Sequence, residues 1–303
     1  MQKLMTYTTG VASLLLVALS SSANVSAAEV IAPSTKFDLL GWKLSIPVDE
    51  DENGKADEIK EKQLNAGYAS ADFFYLSEDG GMVFKAPIKG AKTSKNTSYT
   101  RSELRGMLRR GNTRNKTTGV TGNNWVFSTS PAADQAAAGG IDGTMDATLA
   151  VNHVTSTGKG SQVGRVIIGQ IHANHNEPVR IYYRKLPGNS KGSIYYAHEP
   201  VVNKEIYVEM IGSKSNSASN PSDGIALDEK FSYQINVVGN TLKVTIMRPG
   251  KNDVVSVTDM TESGYDQGGK YMYFKAGVYN QNKSGDADDY AQATFYQLAT
   301  SHP

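Results

Sequence analysis

Short alternations of apolar and polar residues organise this chain, and long stretches of helical period are scarce. Twelve segments read as strands: 42–48, 82–86, 99–109, 125–128, 145–154, 164–172, 179–185, 205–211, 231–238, 241–247, 271–281 and 290–298. Gly239 and Asn240 join two of them as a tight hairpin turn. Two short helices are expected, over 57–64 and over the Ala-rich 131–138, the second opened by Ser130 as N-cap with Pro131 next. About a dozen strands with turn-rich connections predict an all-β fold with few short helices, either a β-sandwich or a jelly roll. No internal repeat and no domain-separating linker interrupts the pattern, so residues 29–303 are expected to form a single domain. The polar stretches 112–124 and 212–224 are long enough to serve as lids or binding loops, with a plain surface loop as the alternative for each.

Side chains two apart on a strand share a face. One face of 99–109 carries Tyr99, Arg101, Glu103, Arg105, Met107 and Arg109. In 164–172, Ile168, Gln170 and His172 point one way, and Ile167, Gly169 and Ile171 the other. In 271–281, Tyr271, Tyr273, Lys275, Gly277, Tyr279 and Gln281 stand opposite the apolar Met272, Phe274, Ala276 and Val278. Placed in one sheet, the polar faces would build a floor of Arg, Lys, Gln, His and Tyr. Such a floor suits a polyanionic sugar, with cations for carboxylates and rigid aromatics for pyranose rings.

Charge and composition narrow the choices. Residues 1–28 read as a secretory signal: Lys3, an apolar run over 11–19, and small residues at Val25, Ser26, Ala27 and Ala28. The run is too short to span a bilayer, so a secreted protein, extracellular or periplasmic, is expected, with no membrane attachment after cleavage. Beyond it the chain holds 30 Lys+Arg and 30 Asp+Glu, which argues against a nucleic-acid binder held by bulk charge. The absence of Cys excludes disulfides, thiolate metal sites and Cys nucleophiles.

Three blocks carry a resemblance. Tyr99-Thr100-Arg101-Ser102-Glu103-Leu104-Arg105, Gln170-Ile171-His172 and Tyr273-Phe274-Lys275-Ala276-Gly277-Val278-Tyr279-Asn280-Gln281 resemble, in order, the signature blocks of the alginate lyases of polysaccharide lyase family 7. Trp42-Lys43-Leu44-Ser45-Ile46-Pro47 is similar to that family's opening strand. The resemblance implies a β-jelly roll of two curved antiparallel sheets with a concave cleft, and alginate as the partner. It maps Arg101, Gln170, His172 and Tyr279 onto the catalytic quartet. It also maps Glu103, Arg105, Lys275 and Gln281 onto supporting or substrate-contacting positions. Tyr273 belongs to the same floor, and Arg184 joins it if its strand lies in the same sheet. Ile171, in Gln-Ile-His, is the family variant associated with guluronate-containing chains. A monomer and internal cleavage are expected, with exolytic action as the alternative.

The chemistry asks for these residue types. A lyase removes the C5 proton of a uronate and expels the 4-linked oxygen, so the carboxylate must be neutralised and the developing charge stabilised. Arg101 and the Gln170 amide suit that role as preorganised donors. His172 is the expected base near neutral pH, and Tyr279 the acid for the leaving oxygen. Glu103, between two arginines, is expected to orient them. No cofactor or metal is required. A glycoside hydrolase on the same fold would need two carboxylates roughly 5–10 Å apart, and the floor offers Glu103 alone. A non-catalytic sugar-binding module has no reason to set Gln and His two apart beside a Tyr/Lys strand.

Separately, Asp49, Asp51, Asn53 and Asp57 around Gly54 resemble the front half of a calcium loop, but the twelfth position is Lys60 in place of a bidentate Glu. A structural calcium is one reading, and a solvated acidic turn is the other. His153 and His198 read as structural or surface residues, and His175 as a residue beyond its strand.

Overall fold

The alternating segments build strands in two stacked antiparallel sheets, with a small parallel pair at one end. The structure, a computed structural model, describes residues 1, 2, 4 and 30–303, so the expected signal falls almost wholly outside the described residues. The first strands are β1 (Trp42–Ser45), β2 (Glu58–Ile59), β3 (Phe74–Leu76), β4 (Met82–Pro87), β5 (Arg101–Gly106) and β6 (Trp125–Val126). Next come β7 (Gly140–Ile141), β8 (Gly143–His153), β9 (Arg165–His172), β10 (Val179–Arg184), β11 (Lys191–His198) and β12 (Ile206–Ile211). The last are β13 (Ile225–Ala226), β14 (Phe231–Val238), β15 (Thr241–Met247), β16 (Val254–Asp259), β17 (Tyr273–Asn280) and β18 (Tyr290–Ser301). Helix α1 (Glu61–Asn65) follows β2, and α2 (Ala132–Ala137) follows β6.

One sheet runs β12-β11-β10-β9-β17-β5-β1-β2, with β13 joined to β11, and the other runs β16-β15-β14-β8-β18-β4-β3. The non-sequential order is that of a jelly roll. Their inner faces close one core. Phe84 packs against Phe74 and Phe295 with ring centroids 5.2 and 5.3 Å apart, and each buried ring contributes roughly 1.5–3 kcal/mol. The outer face of the first sheet carries the polar floor, with β9, β17 and β5 adjacent as expected.

Several sequence expectations are corrected. The 57–64 segment begins as a strand, because Ile59 pairs with Leu44, and turns helical only at Glu61. Helix α2 is capped by Pro131; Ser130 makes no capping bond and its hydroxyl has no partner. The regular ladder of β5 ends at Gly106. Met107 is buried, and Arg109 turns from the floor to bond Glu61 of α1 and the Asn115 carbonyl.

The phase of β9 also differs. Opposite β10, Ile181 faces Gly169 and Tyr182 faces Ile167, so Ile168 is an extra residue in a bulge. Ile168 therefore enters the core, and Ile167 reaches the floor beside Tyr182 and Tyr279. The bulge is pinned from below, where the buried Tyr233 hydroxyl donates to the Ile168 carbonyl at 3.0 Å. A Cβ on Gly169 would lie 2.4 Å from that hydroxyl oxygen. We expect Gly169→Ala to destabilise the fold by about 1–3 kcal/mol in urea titration, through overpacking. Tyr233→Phe should cost about 1 kcal/mol. Wild-type midpoints in both variants would show that the bulge does not depend on this contact.

Candidate active site

The register of three strands gathers the chemistry. Tyr273 lies opposite His172 and Lys275 opposite Gln170 across β17 and β9, while Tyr279 lies opposite Arg101 and Gly277 opposite Glu103 across β17 and β5. All four members of the expected quartet, Arg101, Gln170, His172 and Tyr279, line one cavity of about 540 Å³. Gln281 lines it too. A second cavity of about 290 Å³ shares Arg101 and His172 and continues over Arg105, Tyr273 and Lys275 to Lys43 on β1. Together they form a trench from β1 to β10. Its walls are the 89–100 connection, through Thr97, and the turn after β9, through Asn174, His175 and Glu177. Thr117 and Thr118 bring the 112–124 stretch to the trench, where it forms part of the wall. The Thr97 wall and the Glu177 turn lie in connections without strand alternation, and Lys43, on a predicted strand, lies outside the three blocks that marked the floor.

Beneath the floor sits Glu103, almost completely buried. It accepts from Arg101 Nη1 at 2.9 Å, from Lys275 Nζ and from Gln170 Nε2. Burial alone would raise its pKa, but Lys275 and Arg101 hold the carboxyl below the ordinary carboxylate range. Lys275 is brought down to about 8 by burial and the neighbouring Arg101 charge. Gln170 Nε2 gives one of its two hydrogens to Glu103 and keeps the other.

Glu103 therefore orients Arg101, Lys275 and Gln170, and the expectation that it orients Arg105 is corrected. Arg105 donates to the Thr117 carbonyl and to Asn124 Oδ1, and stacks over Tyr273 at 3.9 Å. It ties the 112–124 stretch to the floor. Arg184 lies on the floor side of the same sheet, yet its guanidinium is spent on the Lys214 and Gly160 carbonyls, and it lines neither cavity. The 212–224 stretch that holds Lys214 packs there, away from the quartet.

His172 Nδ1 lies 2.6 Å from the Ala173 carbonyl, and its ring stacks on Tyr273 with centroids 5.1 Å apart. Burial, with Lys275, depresses its pKa to about 4, so the ring is neutral and able to accept a proton. Tyr279 carries the Arg101 guanidinium over its ring at 3.7 Å. Burial raises its pKa, keeping the phenol protonated, while Arg101 pulls the other way.

The comparisons match this geometry. A family model described as alginate lyase covers residues 37–302. The chain belongs to the alginate lyase family. It is 61% identical over 286 residues to an alginate lyase from Klebsiella pneumoniae, covering 91% of this chain and 93% of that one. The crystal structure of the alginate lyase from that organism overlays with a TM-score of 0.89 at 60% identity, over 90% of this chain and 99% of the other. An alginate lyase structure from Pseudomonas aeruginosa has 27% identity and a TM-score of 0.64, over 88% of this chain and all of the other. A further structure, described as a member of polysaccharide lyase family 7, gives 25% and 0.64, over 89% and 98%. This family member is thus a polysaccharide lyase with a jelly-roll fold.

Outside the trench, His198 is buried between the Pro178 carbonyl and Ser263, and His153 stacks on Tyr290. Both are structural. Asp49, Asp51 and Asp57 bring carboxylate oxygens within 4.8 Å of one another. Asp49 accepts the backbone N–H groups of Asn53 and Gly54, and Asn53 turns its amide nitrogen to Asp51. The turn's own donors meet Asp49 and Asp51.

Removing a preorganised donor typically costs roughly 10²–10³ in rate. Arg101→Ala and Gln170→Ala should each lose that much kcat and keep a native circular dichroism spectrum. Arg184→Ala should instead keep kcat within about threefold and lose about 1–3 kcal/mol of stability, because a buried guanidinium and its two charge-assisted hydrogen bonds are lost. The opposite pattern would reverse these assignments.

Proposed function

We propose that this protein is an exported, endolytic alginate lyase that cleaves 4-linked uronate chains by β-elimination and accepts guluronate. The observation that carries the reading is the convergence of Arg101, Gln170, His172 and Tyr279 on one cavity, with the base neutral and the acid protonated. Arg101, with the surplus positive charge of its cluster, and the free Gln170 hydrogen neutralise the uronate carboxylate and stabilise the charge that forms beside it. His172 takes the C5 proton. The electron pair becomes the C4–C5 double bond, the C4–O bond breaks, and Tyr279 protonates the departing oxygen. No cofactor or metal enters these steps.

The trench crosses five strands, β1, β5, β17, β9 and β10. Four inter-strand spacings make it roughly 19 Å long, room for several sugar rings, which supports cleavage within a chain. Ile171 supports guluronate acceptance only through the family association, since its side chain lies in the core. The N-terminal Lys3, the apolar 11–19 run and the small residues before Glu29 support export. The hydrolase reading loses ground, because the carboxylates at the trench are paired: Glu103 with Arg101 and Lys275, Glu58 with Lys43, and Glu177 with Arg180.

The two uronates are C5 epimers, so elimination is anti for guluronate and syn for mannuronate. Two residues are needed across the ring in the first case. In the second, both sites lie on one face and Tyr279 alone serves. His172→Ala should harm poly-guluronate cleavage more than poly-mannuronate cleavage. Tyr279→Phe should reduce both by roughly 10²–10⁴, read as the near-ultraviolet absorbance of the new double bond. Saturated reducing ends without that absorbance would revive the hydrolase, and equal losses in His172→Ala would remove the division of labour.

A further inference from the structure

The sequence reading gives Glu177 no role, yet the fold aims its carboxyl at the base. The Ala173 carbonyl, 2.6 Å from His172 Nδ1, can only accept. Nδ1 therefore carries the hydrogen, and the neutral ring presents its lone pair at Nε2. Glu177 Oε1 stands 3.2 Å from that Nε2. Two lone pairs do not attract, so this contact requires one proton between them.

A chain of acceptors continues outward. Glu177 Oε2 lies 3.4 Å from Arg180 Nη1, and the same guanidinium meets Glu199 at 3.6 Å and also bonds Glu205. Three carboxylates share one guanidinium. Glu199 sets a like charge beside Glu177, which favours a proton on Glu177. On the trench side, Lys275 and Arg101 oppose an imidazolium, Glu103 favours one, and Tyr273 stacks on the ring. The balance leaves the resting proton on Glu177, whose carboxyl burial and Glu199 push up to about 7.

We propose that Glu177 is the positioning and relay partner of His172: while protonated it occupies the Nε2 lone pair, and once ionised it frees the base and receives the abstracted proton. The inference rests on the reading of His172 as base. In the productive state Glu177 is a carboxylate. The C5–H bond breaks and the N–H bond forms at Nε2. The imidazolium then hands its proton to Glu177, and Glu177 passes it through Glu199, which is part-exposed, to water. The ring returns to neutral, and Tyr279, which gave its proton to the departing oxygen, takes one back from water, so the cycle consumes no net proton.

The test compares wild type, Glu177→Ala, Glu177→Gln and His172→Ala on poly-guluronate, with nitrogen NMR of the His172 ring in substrate-free protein. Wild-type turnover should rise with pH through about 7, as Glu177 ionises. Glu177→Ala should move that acid limb down by about one pH unit or more and lower the plateau at least about tenfold, because the relay is gone. Glu177→Gln places a permanent N–H on Nε2, so activity should be low and lack the limb. The Nε2 resonance should respond near pH 7 in wild type and lose that response in Glu177→Ala. A merely structural residue would lower activity without moving either curve. An unmoved acid limb or an unmoved Nε2 titration in Glu177→Ala overturns the proposal while His172→Ala remains impaired. Wild-type poly-guluronate cleavage by His172→Ala would instead overturn the base reading on which it stands.

Discussion

A single buried carboxylate governs the site. Glu103 would not remain ionised under the floor without partners, because burial disfavours charge. Arg101 and Lys275 would repel each other there without it. The three form one unit with two positive charges and one negative, so one surplus positive charge is left facing the trench. That surplus is what a uronate carboxylate meets. Gln170 joins by donating to the same carboxylate, which fixes the amide that would otherwise rotate. Substrate charge is thus met by groups already held in place, and little reorganisation is needed at the moment of reaction.

Backbone geometry makes this unit possible. Gly277 sits at φ +133°, opposite Glu103, and a Cβ there would lie 2.7 Å from the Ser102 carbonyl oxygen and 3.0 Å from Glu103 Cα. Glycine lets β17 close on β5 where Glu103, Lys275 and Arg101 must meet. The bulge at Ile168 does the complementary task on β9. It keeps Gln170 and His172 on the floor while feeding Ile168 to the core, and Tyr233 ties it to the second sheet. Core packing and active-site geometry therefore share residues.

The strands that pair in the floor were legible because alternation is a two-residue signal that each strand carries alone. Phe231–Val238 and Thr241–Met247, with the Gly239-Asn240 turn, emerge with their expected bounds for the same reason. Strand β11 escaped because Ile194, Tyr195, Tyr196 and Ala197 are buried on both faces, which erases the alternation. Strand β16 does alternate, but its Val255 and Val257 point outward at a sheet edge, against the usual burial pattern. The bulge was invisible, since one inserted residue leaves no mark on composition. The partners of Arg105, Arg109 and Arg184 were also out of reach, because they lie 6 to 48 residues away in loops and a helix. Alternation says that an arginine lies on a face. It does not say whether a carbonyl from elsewhere will occupy its guanidinium.

The central claim is that the Glu103 charge, and not only its shape, organises the floor. The most direct measurement is the turnover of Glu103→Gln on alginate, taken with its circular dichroism spectrum and its KM. The amide keeps the volume but presents donors where Arg101 and Lys275 also donate. The account predicts a folded protein with kcat lowered roughly 10²-fold or more, comparable to loss of a preorganised donor. A folded Glu103→Gln variant with kcat within about threefold of wild type would contradict it.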